Sequence, residues 1–285
     1  MSHPLHTDHF VAIGDASLFV RQLAVTSPSD SRVAPTIVFL HDSLGCVDAW
    51  RQFPERLAQQ VGLSALIYDR QGYGRSSAFG PISRTPAYLE EEATILFQLL
   101  DAFAIETAVL FGHSDGGSIA LLAASLRPQR VAAVVTEGAH VLVEDETLAG
   151  IRAAQRALAT TDLSQRLARY HGEKVQGVAS AWIDTWLSPS FQDWNIEAQL
   201  RAVACPVLVI QGADDEFGTV AQVNAIIDGV GGAAESLMIP DVGHTPHREA
   251  RDVVLEASTV FIKSAVDKGS RENHLHRPRK AGPSA

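Results

Sequence analysis

The sequence predicts an α/β fold: a mostly parallel sheet flanked by helices, with an inserted helical cap. Three observations carry this expectation. Short, largely apolar runs recur at 36–40, 65–68, 108–111, 132–136, 206–211 and 235–239, the pattern of strands buried in a parallel sheet. Helical patterns separate them, as right-handed strand–helix–strand units require. From 138 to 202 the rhythm breaks: helical patterns continue, but no convincing strand occurs.

Taken in order, residues 1–8 are polar and expected to be disordered. Residues 9–25 read as two strands around Gly14-Asp15, a hairpin signal. A turn-rich connection over 27–35 leads to strand 36–40, which delivers His41-Asp42-Ser43-Leu44-Gly45. A helix is expected over 48–60, then strand 65–68 and the loop Asp69-Arg70-Gln71-Gly72-Tyr73-Gly74-Arg75-Ser76. Thr85-Pro86 opens a helix to about 103, with threonine as cap and proline first. Strand 108–111 and an apolar helix enclose Gly112-His113-Ser114-Asp115-Gly116. Strand 132–136 precedes the helical stretch that holds Trp182, Trp186 and Trp194. Strands 206–211 and 235–239 end in polar loops, one with Asp214-Asp215, the other with Asp241 and His244. A last helix runs over 248–266. The expected organisation is a core of 9–137 and 203–266, a helical cap of 138–202, and disordered ends at 1–8 and 267–285.

A net charge of −10 argues against nucleic acid and anionic membrane surfaces, leaving a small-molecule substrate as the expected partner. No apolar run approaches the roughly 20 residues that span a bilayer. The start lacks the basic and apolar regions of a signal peptide. Cys46 lies beyond the C-terminal end of one expected strand and Cys205 just before another, so they sit at opposite ends of a parallel sheet. A reduced, cytoplasmic protein follows. No His/Cys/Asp set shows structural-zinc spacing, so neither a metal nor a cofactor is expected.

The chemistry centres on Ser114. A Gly-x-Ser-x-Gly pentapeptide between strand and helix puts the serine on a sharp turn with its hydroxyl exposed. Glycines at 112 and 116 fit because side chains there would collide as strand and helix fold back. Serine needs a base within hydrogen-bond reach, and a carboxylate to hold that base in the right tautomer. His244 follows the last strand and is the expected base; His247 reads as structural. The acid is Asp214 or Asp215, which spacing alone does not separate. The oxyanion donors are expected from the backbone N–H groups of Asp115 and Ser43, with Leu44 as the alternative to Ser43. Trp182 and Trp186 either line an apolar substrate pocket or pack the cap helices together.

At this point the chain resembles the α/β-hydrolase superfamily over about 9–266. The likeness rests on the segments at 41–45, 69–76 and 112–117, on Gly212-Ala213-Asp214-Asp215, and on Gly243-His244. The superfamily's Gly-x-x-Asp pattern implies Asp215 as the acid, whereas Asp42 stands where the family usually has glycine. Within it, the Ser-Asp-Gly-Gly elbow, Gly-Ala-His-Val-Leu-Val-Glu-Asp-Glu at 138–146 and Trp182-Ile183-Asp184 are similar to the valacyclovir hydrolase (biphenyl hydrolase-like) family. That likeness implies hydrolysis of α-amino acid esters, with Asp115 holding the substrate's ammonium group. The expected function is therefore a serine esterase working through an acyl-enzyme. A lactonase or C–C bond hydrolase with the same triad is the alternative among enzymes, and a catalytically silent ligand-binding module the alternative outside them.

Overall fold

One sheet builds two cores because successive strand residues point to opposite faces. The computed structural model describes residues 6–25, 34–80 and 84–275. Residues 1–5 and 276–285 of the ends expected to be disordered, and most of the turn-rich connection, lie outside these. Strands β1 (His6–Ile13) and β2 (Ala16–Leu23) form an antiparallel hairpin, with Gly14 at φ 56 in the left-handed conformation of its turn. They are followed by β3 (Thr36–Leu40), β4 (Ala65–Tyr68), β5 (Ala108–His113), β6 (Val131–Glu137), β7 (Val207–Gly212) and β8 (Ala234–Ile239). The sheet order is β1-β2-β4-β3-β5-β6-β7-β8. β2 and β4 pair antiparallel and the remaining pairs are parallel.

Helices α1 (Phe53–Val61), α2 (Tyr88–Ala102) and α3 (Asp115–Leu126) fill the crossovers up to β6. Between β6 and β7 lie α4 (Asp145–Thr160), α5 (Leu163–His171), α6 (Val175–Trp186) and the short α7 (Glu197–Leu200). Helix α8 (Val220–Gly229) links β7 to β8, and α9 (Pro246–Glu249) and α10 (Arg251–Leu275) follow β8. Val38, Leu40, Leu66, Leu110 and Val134 face the layer containing Leu96, Phe97 and Ile119 of α2 and α3. Their neighbours Ile37, Phe39, Ile67, Val109 and Val135 face Phe53, Leu57, Val254 and Ile262 of α1 and α10. Each such side chain contributes roughly 1.5–3 kcal/mol by leaving water. Among the described residues no helix is long and apolar enough to cross a membrane.

Element ends differ from expectation for local reasons. β1 starts at His6, inside the stretch expected to be disordered, because its backbone pairs with β2 and Arg21 holds Asp8 through two hydrogen bonds of 2.8 and 2.9 Å. Helix α10 runs to Leu275, past the expected end at 266, since no proline interrupts it before Pro278. The helix expected over 48–60 divides into a 3₁₀ turn, Val47–Trp50, and α1. Thr85 stands before α2, its hydroxyl accepting the Ala87 N–H at 3.2 Å, so Thr-Pro forms the turn that leads into the helix.

Candidate active site

β5 ends at His113 and α3 begins at Asp115, so Ser114 alone makes the turn, at φ 54 and ψ −121. Side chains rarely occupy this region, at a cost of roughly 1–3 kcal/mol. Its N–H donates to the Glu137 carbonyl at 2.8 Å, and its carbonyl accepts from Gly117 at 2.8 Å. A Cβ on Gly112 would lie 2.1 Å from the Gly116 carbonyl oxygen, and one on Gly116 would lie 2.0 Å from that of Leu40. Both clashes are with backbone, which cannot swing aside. Gly116→Ala should therefore destabilise the fold by about 1–3 kcal/mol. A thermal melt measures this, and an unchanged midpoint would contradict the close approach of α3 to β3.

His244 lies in the loop after β8. Its Nδ1 donates to Asp215, 2.9 Å from each carboxylate oxygen. Gln211 Nε2 donates to Oδ2 at 2.7 Å, and the Phe217 N–H donates to Oδ1 at 2.9 Å. Burial alone would raise the Asp215 pKa, but the His244 hydrogen bond and charge hold it below the usual carboxylate value. Asp214 is exposed, and its N–H donates to the Val242 carbonyl at 2.9 Å. With Nδ1 committed as donor, His244 Nε2 is left as an acceptor, the tautomer that a base for a hydroxyl needs. Ser114 and His244 line the same cavity, of about 520 Å³. Among the described residues no hydrogen bond joins the Ser114 hydroxyl to His244; such bonds often tighten only when substrate is bound.

The loop after β3 is pinned by Arg70, whose Nη2 donates to the carbonyls of His41 at 3.3 Å and Asp42 at 2.9 Å. The Leu44 N–H is taken by Asp42 Oδ2 at 3.3 Å, and Ser43 and Leu44 both line the cavity. The Asp115 N–H is the first of α3, one of the donors a helix start leaves unpaired. The Asp115 side chain is less available. Its Oδ2 accepts from Tyr88 at 3.0 Å and lies 3.6 Å from Arg70 Nη1, while Oδ1 is buried without a hydrogen-bond partner. Trp186 Nε1 donates to the Tyr88 hydroxyl at 2.8 Å, extending this chain of contacts to α6.

Trp182 and Trp186 both line the cavity, and Trp186 also packs on Phe191 and Trp194, with ring centroids 4.9 and 5.7 Å away. The lining and packing readings therefore hold together for Trp186. Ile151, Ala153, Ala154, Ala157 and Leu163 of α4 and α5, with Phe217, complete the apolar wall.

Several participants escape sequence reasoning. His140 lines the cavity with its Nε2–H donating to the Phe217 carbonyl at 2.9 Å. Burial holds its pKa below the usual imidazole value. His171, at the end of α5, donates to the Leu44 carbonyl at 2.9 Å and accepts the Gly74 N–H at 3.0 Å, tying the helices after β6 to the loop after β3. Arg70 and Tyr88 meet Asp115 from other segments, a contact that no spacing announces.

A model described as the alpha/beta hydrolase family matches residues 37–257, from β3 into α10. The chain belongs to the alpha/beta hydrolase family. The chain is similar to 2-succinyl-6-hydroxy-2,4-cyclohexadiene-1-carboxylate synthase of Enterobacter sp. (strain 638), 26% identical over 246 residues, covering 75% of this chain and 86% of the relative. An epoxide hydrolase of Caballeronia sordidicola is 36% identical over 107 residues, covering 37% of this chain and 31% of that one. The solved structure of 2-hydroxy-6-oxo-6-phenylhexa-2,4-dienoate hydrolase from Rhodococcus sp. strain RHA1 superimposes with a TM-score of 0.74 at 15% identity, over 88% of this chain and 96% of that one. This last likeness is one of fold.

Proposed function

We propose that this alpha/beta hydrolase cleaves neutral, apolar carboxylic esters of small molecules through a seryl acyl-enzyme. The observation that carries the reading is Ser114 on its strained turn, opening into the cavity shared with a His244 whose Nδ1 proton Asp215 holds. In this scheme His244 Nε2 takes the hydroxyl proton as Ser114 Oγ attacks the ester carbonyl. The N–H groups of Asp115 and Ser43 stabilise the oxyanion; losing one such donor typically raises the barrier by about 2.7–4 kcal/mol. Collapse expels the alcohol, which receives the proton from His244. Water, deprotonated by the same imidazole, then frees the acid. The helices between β6 and β7 act as the cap and supply most of the apolar wall.

Charge narrows the substrate. Among the described residues neither lysine nor arginine lines the cavity; Asp115 and Asp42 already face Arg70 and His113, so Glu216 is the lining carboxylate left to repel a substrate carboxylate. This favours neutral esters over the C–C bond hydrolase reading, for which the Rhodococcus structure is named after a dienoate substrate. The α-amino ester reading drawn from the valacyclovir hydrolase family asks Asp115 to hold an ammonium group. Here Arg70 already lies beside that carboxylate, and the charge that would recruit an ammonium is met within the protein.

The test is a panel of p-nitrophenyl esters from acetyl to octanoyl, a carboxylate-bearing ester, and the paired esters of phenylalanine and 3-phenylpropanoate. Octanoyl should exceed acetyl in kcat/KM, the anionic ester should be poorest, and the phenylalanine pair should differ little. Ala154→Leu, which fills the wall beside the cavity, should lower octanoyl turnover by about 10–200-fold and spare acetyl. A strong preference for the amino ester, abolished in Asp115→Asn, would restore the ammonium reading. No turnover of any ester would defeat the esterase reading itself.

A further inference from the structure

In the cavity wall, one buried imidazole joins three segments of the site. His113 precedes Ser114, and its Nε2 lies 2.7 Å from the main-chain carbonyl oxygen of His244. A carbonyl can only accept, so Nε2 carries a hydrogen. On the other side of the ring, Nδ1 lies 3.6 Å from Asp42 Oδ1. A bare Nδ1 lone pair facing a carboxylate would be repelled; a second N–H there turns the contact into an ion pair. Asp42 in turn shapes its own loop, through Oδ2 to the Leu44 N–H and through the close approach of Gly45, where a Cβ would lie 2.0 Å from Oδ1.

We infer that His113 is a positioning residue: as an imidazolium paired with Asp42 it fixes the loop carrying the Ser43 donor to the loop carrying His244, with Ser114 between them. The inference rests on the serine-hydrolase reading above for its kinetic consequence, and on the groups around the ring for the charge state.

The carboxylates around His113 favour a cation there. Asp42 approaches from the loop after β3. His247 of α9 faces the ring at 5.1 Å, and His244 faces it at 5.1 Å from the loop after β8. His247 Nδ1 bonds Glu137 Oε2 at 2.7 Å, so the end of β6 contributes a fully buried carboxylate to the same cluster. Burial penalises a charged His113, but Asp42 and Glu137 outweigh it and raise its pKa above the usual imidazole value. Burial likewise penalises the Asp42 carboxylate, and His113 overrides it, holding the group well below the usual range. Burial lowers the His247 pKa, which keeps that ring the neutral partner. The sign follows: the His113 imidazolium is present below its raised folded pKa and lost as pH rises through it. Both loops then lose a shared anchor, and displacements near 1 Å at a reacting site can lower rates by about a hundredfold.

The test has two arms on the full chain. Nitrogen-15 NMR of the histidine side chains in the wild-type protein should show both His113 nitrogens protonated at neutral pH and titrating above the free-imidazole range. In Asp42→Asn that titration should move down. In parallel, the alkaline fall of kcat for an ester of the panel should shift to lower pH in Asp42→Asn, with kcat at pH 8 reduced on the order of tenfold to a hundredfold and KM little changed. A neutral His113 at pH 7 in the wild type overturns the inference, whatever the variant does. So does a kcat profile that Asp42→Asn leaves unmoved. If no ester is turned over, the hydrolase reading and the positioning role fall together, while the NMR arm still decides the ion pair.

Discussion

Ser114→Ala should lower turnover of any accepted ester by about a millionfold, and His244→Ala by a similar factor. The expectation follows from the division of labour proposed above, Ser114 as nucleophile and His244 as base. Without Oγ there is no nucleophile for His244 to activate, and without Nε2 the hydroxyl keeps its proton at neutral pH. The double variant should therefore be little worse than either single one. Product bursts and single-turnover rates with p-nitrophenyl acetate measure all three. Losses that multiply would show that the two residues do not act as a unit. Ser114→Ala should also keep its fold, since the turn is held by the Ser114 backbone N–H and carbonyl.

The second large effect is expected at Asp215. Asp215→Asn should lower kcat by about ten-thousandfold, because an amide no longer fixes the His244 tautomer or stabilises the imidazolium that forms. Asp214→Asn should fall within a few-fold of wild type, since that side chain is exposed and its N–H makes the structural bond. A more damaging Asp214 variant would overturn the assignment of the acid. Because the Asp215 pKa is depressed in the folded chain, its stabilising contribution is complete above about pH 4 and fades as pH falls through the lowered value. Thermal melts of wild type beside Asp215→Asn at pH values on either side of about 4 check this.

The sheet was legible because its central strands are short apolar runs at regular intervals, and the turn at Ser114 because glycines at 112 and 116 allow a strand and helix to approach too closely for any side chain. The choice between Asp214 and Asp215 was not readable from spacing, since neighbours on one turn share every local signal. What separates them is direction: the Asp215 carboxylate turns inward to His244, Gln211 and Phe217. The Arg70–Asp115–Tyr88–Trp186 chain was invisible for a different reason. Its members come from the loop after β4, the start of α3, the start of α2 and the end of α6, and only the closed fold brings them together. His113 and His140 were passed over because a histidine's use depends on what faces each ring nitrogen, which a sequence does not display. The ends of the chain erred the other way. Polar composition suggested disorder at 6–8 and 267–275, yet pairing to β2 and an unbroken helical run gave both stretches regular structure.

The backbone at Ser114 sets heat resistance against turnover. Glycine adopts φ 54 and ψ −121 with little strain, so Ser114→Gly should relieve part of the roughly 1–3 kcal/mol held there while removing the nucleophile. Variants screened for thermal survival alone would drift toward glycine at this position and fall silent. Screening that also demands turnover must keep the strained serine and find its gains far from it. Surface positions such as Val253 and Val260, exposed on α10 and remote from the cavity, are open to such change.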